Sequence, residues 1–188
     1  MDDLLSILEE TGAILKGHFI LSSGRHSDTY FEKFRLLERP EIVEKLCCEI
    51  ASFFQESGTS VVAGPTTGGI IIAYEVAKQM KSRAVYIERE GGQRVLRRGF
   101  SLSPEDRILV VDDVLTTGKS IFEVLECLKG SGAKVSGVAV LVDRSEEKVD
   151  FGVPFYSVIR VEARSWAPDE VPDWLAKIPV EEPGSRRL

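Results

Sequence analysis

The chain has 188 residues, enough for one domain with a sizeable core or one domain with a small appendage. Hydrophobic residues make up 43%, charged residues 29%, and the formal net charge is -6, which argues against broad nucleic-acid or anionic-membrane binding while leaving room for a local basic site. The apolar run GGIIIAYEVA is far too short to span a bilayer, the acidic opening MDDLLSILEE is unlike a signal or transit peptide, and Cys47, Cys48 and Cys127 form neither a disulfide framework nor a zinc pattern. The expectation is a cytoplasmic protein with no membrane and no nucleic-acid partner.

In chain order, DDLLSILEETGAIL reads as a helix with Leu4, Leu5 and Leu8 on one face and a stop at Gly12. Two strand-like pieces, Phe19–Leu21 and Thr29–Leu36, flank a Ser/Gly-rich turn. PEIVEKLCCEIASFFQESG is an amphipathic helix with Pro40 in its first turn and Gly58 at its end. Ile42, Val43, Leu46, Ile50 and Phe53 form its apolar face, and Cys47 and Cys48 are expected to be buried. Strands and helices then alternate. SVVAG is a strand, GGIIIAYEVAKQM a helix, and AVYIERE a strand followed by a polar Gly-rich loop. RILVVDD is a strand, SIFEVLECLKG a helix, and VSGVAVLVDR and PFYSVIRV are the last strands. Continuous apolar strands between helices define an α/β fold, a parallel sheet with helices on both faces. From Pro168 onward, Pro168, Pro172, Pro179 and Pro183 fall within a 21-residue tail, which predicts an irregular, surface-laid end.

VVDDVLTTGKS, residues 110 to 120, carries the chemistry. Ile108 to Val111 form a buried strand, and Asp112 and Asp113 follow at its carboxyl end, where open α/β sheets bind ligands. Thr116, Thr117, Gly118, Lys119 and Ser120 then lead into a helix, whose backbone N–H groups and positive end make an anion site. A Walker-type nucleotide loop requires a glycine where Asp113 stands. Two carboxylates beside a triphosphate repel it, but they accept hydrogen bonds from the vicinal hydroxyls of a sugar. The pattern therefore points to a ribose 5-phosphate, its hydroxyls on the aspartates and its phosphate in the Thr/Gly cradle.

This stretch closely resembles the phosphoribosyl pyrophosphate motif of type I phosphoribosyltransferases. GHFILSSGRHSDTYF, with Phe19, Leu21, Ser23, Gly24 and Ser27 followed by Tyr30 and Phe31, is similar to the N-terminal hood of orotate phosphoribosyltransferases. The resemblance continues through GPTTGG, IEREGG, VLVDR and PGSR and covers nearly the whole chain. It implies one phosphoribosyltransferase domain over 1–188, with a hood at about 14–37 and a Pro-rich tail at about 165–188. It implies that phosphoribosyl pyrophosphate is bound by Asp112, Asp113, Val114, Leu115, Thr116, Thr117, Gly118, Lys119 and Ser120, with Arg89, Thr67 and Gly68. Asp112, Asp113 and Arg89 are then the catalytic residues, and Thr116, Arg144, Tyr30 and Phe31 bind orotate. Read alone, GPTTGG is better taken as an ordinary Gly-rich turn, and Tyr30 and Phe31 equally pack the hood.

The activity implied is transfer of the phosphoribosyl group from phosphoribosyl pyrophosphate to orotate in pyrimidine biosynthesis. Mg²⁺ is held mainly by substrate and water, and a homodimer is implied whose EREGGQR lid reaches the neighbouring site. Two departures from relatives stand out: Ser22 and Gly68 occupy positions where lysines are common, and the lid carries Arg94, Arg97 and Arg98 in place of lysines and a histidine. Arg97 and Arg98 read as exposed strand residues, and His18 and His26, the only histidines, as hood surface. The alternatives are a phosphoribosyltransferase for another base, or a regulator that senses phosphoribosyl pyrophosphate.

Overall fold

A computed structural model describes residues 2–21, 24–161 and 164–181. Its elements run α1 (Asp2–Glu10), β1 (Ile14–Ile20), β2 (His26–Phe31), α2 (Lys33–Leu37), α3 (Pro40–Phe53), β3 (Val61–Pro65), α4 (Gly68–Met80), β4 (Arg83–Glu90), β5 (Gln93–Leu96), β6 (Arg107–Leu115), α5 (Lys119–Lys129), β7 (Lys134–Asp143), β8 (Phe155–Arg160), β9 (Ser165–Trp166), α6 (Asp173–Ala176) and β10 (Val180–Glu181). They fall into two compact units, Met1–Arg39 with Val161–Leu188, and Pro40–Arg160. None of the described helices is long and apolar enough to cross a membrane.

The first unit is a four-stranded sheet in the order β10-β1-β2-β9. β1 and β2 form an antiparallel pair from Ile14↔Phe31 to Ile20↔His26, with an irregularity between Lys16 and Phe19. Two short strands lie in the described part of the tail: β10 adds parallel to β1 and β9, just ahead of Pro168, adds antiparallel to β2, so they form the two edges of this sheet. Two-residue strands leave no alternation to read, which hid them in the sequence. The expected strand Thr29–Leu36 ends at Phe31. Glu32 caps the next turn through Phe34 N–H at 3.4 Å, and Leu36 and Leu37 are buried on α2. His18 is not a surface residue: it is 4% exposed, with Nδ1 3.0 Å from the Ile178 carbonyl and Nε2 2.6 Å from His26 Nδ1. Ser22, Ser23 and the closing PGSR lie outside the described residues.

The second unit is a six-stranded sheet in the order β5-β4-β3-β6-β7-β8, parallel except for β5. Alternate residues Val61, Ala63, Val85, Ile87, Ile108 and Val110 pack with Ile121, Val124 and Leu128 of α5 on one face. α3 and α4 cover the opposite face, with Ile72, Ala73, Val76 and Ala77 buried on α4. On α3, Cys47 is buried and Cys48 exposed, because neighbouring helix positions point about 100° apart. Phe54 is buried and Phe53 is 54% exposed, stacked on Tyr156. At the amino ends of the strands, Asp106 accepts from Ser103 N–H, Ser60 Oγ and Arg83. The Ser103 N–H above all, then Arg83 and Ser60, hold its carboxyl at about 2. That network fastens β3, β4 and β6 at the end of the sheet opposite the aspartate pair.

Candidate active site

β6 outruns its neighbour. Its pairing with β3 stops at Ala63↔Val110, while its pairing with β7 continues to Leu115↔Asp143. Asp112 and Asp113 are therefore inside the strand, not after it, with one flank opened by the departure of β3 into α4. They are 7% and 6% exposed, and Asp113 N–H donates to Asp112 Oδ1 at 2.8 Å. The space on that flank exists because GPTTGG has no side chains there. A Cβ on Gly68 would fall 1.7 Å from Asp113 Oδ2, and one on Gly64 2.1 Å from the Gly69 carbonyl. The acid pair thus packs against the amino end of α4. Gly68 is brought beside Asp113 and Gly69 beside Asp112, so an ordinary-looking Gly-rich turn walls in the acid pair.

The other wall is the loop into α5. Gly118, with φ 77°, is its N-cap residue; a Cβ there would lie 3.1 Å from Phe122 and Val149 and 3.2 Å from Phe151, so the backbone sits directly on that apolar cluster. Thr116, Thr117 and Lys119 are exposed, and Lys119 N–H approaches Thr117 Oγ1 at 3.4 Å. A cleft of about 300 Å³ is lined by Arg89, Asp112, Val114, Leu115, Thr116, Thr117, Gly118, Lys119, Ser120, Ile121 and Glu123. Arg144 N–H donates to the Leu115 carbonyl at 2.9 Å, which sets Arg144 alongside the Thr116 turn. Asp143, 2% exposed, accepts from Ser145 N–H at 2.9 Å and from Arg160 at 2.9 Å and fixes the bend that follows β7.

The expected polar loop after β4 is a β-hairpin. Gly91 and Gly92, at φ 55° and 85°, make the two-residue turn that suits right-twisted strands. Arg89 and Arg94 face each other across it, and both pair with Glu123 of α5. Arg97 pairs with Glu90 and Arg98 with Glu88; both arginines are exposed, but in the turn beyond β5 and not in a strand. Arg89 lines the cleft, whereas Arg94 is buried behind it. Glu123 escaped the sequence reading. It lies one turn after Ser120 on the same helix face, and an acid there was the available signal, since it opposes an anion site unless cations hold it. Burial pushes the Cys47 thiol up to about 12, which removes it as a nucleophile. In the first unit, Phe31 is 8% exposed and Tyr30 half-buried with its ring 5.7 Å from that of Phe19, so Phe31 is a packing residue of that sheet.

Residues 36–171 match the phosphoribosyl transferase domain, which defines the class of protein: a type I phosphoribosyltransferase fold built on a parallel sheet. The chain is 48% identical over 187 residues to an orotate phosphoribosyltransferase of Pelotomaculum thermopropionicum, covering 100% of this chain and 98% of the relative. It is 46% identical over 182 residues to the orotate phosphoribosyltransferase of Thermotoga maritima, with 97% of each covered. The crystal structure of orotate phosphoribosyltransferase from Aeropyrum pernix superposes with a TM-score of 0.72 at 32% identity, over 85% of this chain and 94% of that one. The chain belongs to the orotate phosphoribosyltransferase family.

The Gly68 contact carries a prediction. Gly68→Ala must push the Asp113 carboxylate aside by more than an ångström, and displacements of that size cost about 10²-fold in rate. We expect kcat/KM for phosphoribosyl pyrophosphate to fall by about that factor, with a melting temperature close to wild type. Steady-state kinetics beside a thermal melt checks it.

Proposed function

We propose that the chain transfers the 5-phosphoribosyl group from phosphoribosyl pyrophosphate to orotate, giving orotidine 5′-monophosphate and pyrophosphate for pyrimidine biosynthesis in the cytoplasm. The observation that carries this reading is the buried Asp112–Asp113 pair between the Gly68 turn and the Thr116–Ser120 loop. Carboxylates accept the ribose hydroxyls, and the loop into α5 donates N–H and hydroxyl groups to the 5-phosphate. The anomeric C–O bond breaks with its electron pair leaving on pyrophosphate, and the ring nitrogen of the orotate anion forms the C–N bond. No protein nucleophile is needed. The two carboxylates stabilise the positive charge that develops on the sugar, and Arg89, charged at any working pH, stabilises the leaving group. Thr67 and Gly68 offer backbone donors to that same group.

Asp112 lines the cleft and Asp113 is its neighbour in the strand, a donor set that fits Mg²⁺, which takes one or two carboxylates together with substrate oxygens and water. Asp112 and Asp113 would be the residues that hold Mg²⁺, and the metal when bound would supply charge neutralisation on the pyrophosphate. On the resemblance, Arg144 grips the orotate carboxylate with two parallel hydrogen bonds and Thr116 meets the base edge; the Arg144 N–H bond to the Leu115 carbonyl supports this by keeping Arg144 next to the Thr116 turn. Tyr30 is assigned to the base on the resemblance alone.

Incubation with phosphoribosyl pyrophosphate, Mg²⁺ and either orotate, hypoxanthine or uracil tests the base: orotate alone is expected to be consumed. Arg144→Ala is expected to raise KM for orotate more than tenfold, since a charge-assisted pair is worth about 1.5–3 kcal/mol, and to leave KM for phosphoribosyl pyrophosphate near wild type. Equal rises in both constants would make Arg144 structural.

A two-fold homodimer whose hairpin serves the neighbouring site is part of the proposal, although Arg89 also lines the cleft of its own chain. Refolding inactive Arg89→Ala and Asp113→Asn chains together is expected to restore about a quarter of wild-type activity by random pairing. No recovery with heterodimers present assigns each Arg89 to its own cleft.

A further inference from the structure

Arg94 holds the two walls of the cleft together. Its side chain is 7% exposed. Nη1 donates to Thr66 Oγ1 at 3.2 Å and to the Ile87 carbonyl at 3.4 Å, Nη2 donates to Ser120 Oγ at 2.9 Å, and Nε lies 3.4 Å from Glu123 Oε2. Thr66 immediately precedes the Thr67–Gly68 turn, and Ser120 closes the Thr/Gly loop. One guanidinium therefore reaches both anion-binding loops and the helix behind them. We propose that Arg94 is a positioning residue that sets the separation of the pyrophosphate loop from the 5-phosphate loop.

The electrostatics of the hairpin support this. Like charges directly opposite on antiparallel strands repel, and Arg89 stands directly opposite Arg94. A buried guanidinium is costly unless it is paired and hydrogen-bonded. Glu123 offsets both effects by pairing with each arginine, and the Thr66 and Ser120 hydroxyls take further donors. The planar fork of an arginine can serve acceptors on separate loops at once. A lysine brings its charge to one point and cannot span them. A doubly anionic ligand with one group on each loop needs that separation held, because misplacement by an ångström is expensive.

The inference rests on the proposed use of phosphoribosyl pyrophosphate, so its test has a readout that does not involve orotate. Arg94→Lys keeps the charge, and Thr66→Val removes one anchor without changing the shape of the side chain. Kinetics in both substrates are measured alongside calorimetric binding of inorganic pyrophosphate with Mg²⁺. Arg94→Lys is expected to raise KM for phosphoribosyl pyrophosphate and Kd for pyrophosphate by about tenfold, with KM for orotate within about twofold of wild type. Thr66→Val shifts the same constants in the same direction by less, and adding it to Arg94→Lys costs nothing more, as for two groups in one interaction. If lysine fully replaces Arg94, charge alone suffices and the inference fails. It fails as well if both KM values and the melting temperature move together, or if Thr66→Val binds pyrophosphate like wild type, which decides the matter should Arg94→Lys not fold. A wild-type chain that binds pyrophosphate but consumes no orotate would overturn the substrate reading and leave Arg94 judged by the calorimetry. A chain that binds no pyrophosphate would overturn the inference.

Discussion

The carboxylate of Asp113 occupies the place where a side chain at Gly68 would be. Much of the candidate site depends on that contact. It needs β6 to continue past the end of β3, so that two acids leave the interior of a sheet without leaving the strand. It needs glycine at Gly68, and at Gly64 where the loop closes on Gly69. It also needs the amino end of α4 to receive a carboxylate with little access to water. The apolar strands around Val110 and Val140 make the sheet rigid enough for such a fit to be held.

Charge is distributed around that contact with a clear division. The acids lie at the end of β6, and the cations Arg89 and Arg94 stand on the β4–β5 hairpin, with Asp112 and Arg89 both lining the cleft. Glu123 lies between and holds both arginines of the hairpin to α5, so an anion entering the cleft competes with it for Arg89. A chain of net charge -6 can thus bind two phosphate groups, because a few local donors decide what the overall charge does not.

The core of the second unit was legible in the sequence because its strands are continuously apolar and its helices strongly periodic. The Thr116–Ser120 loop was legible as a turn into a helix because acids, hydroxyls and a glycine follow an apolar strand in order, and the structure brings Asp112 and that loop to one cleft. What escaped has physical causes. β9 and β10 are two residues long and exist only as additions to β1 and β2. The hairpin was read as a loop because its strand β5 is short and half-exposed. Helix α2 was read as strand because five residues are too few to show a period. The pairing of Glu123 and the structural part of Arg94 escaped because their partners lie 26 to 34 residues away in sequence, although an acid one turn into α5 was itself a signal. His18 looked like a surface residue because the carbonyl that satisfies it is 160 residues away.

The central claim is that Asp112 and Asp113 accept the ribose hydroxyls. Calorimetric titration of the wild-type protein with ribose 5-phosphate and with 2-deoxyribose 5-phosphate tests it most directly, because both ligands share the phosphate and differ by one hydroxyl. The account predicts that the deoxy sugar binds at least about tenfold more weakly, or about 1.4 kcal/mol, since a buried carboxylate is then left without its donor. Equal affinity for the two sugars would contradict it.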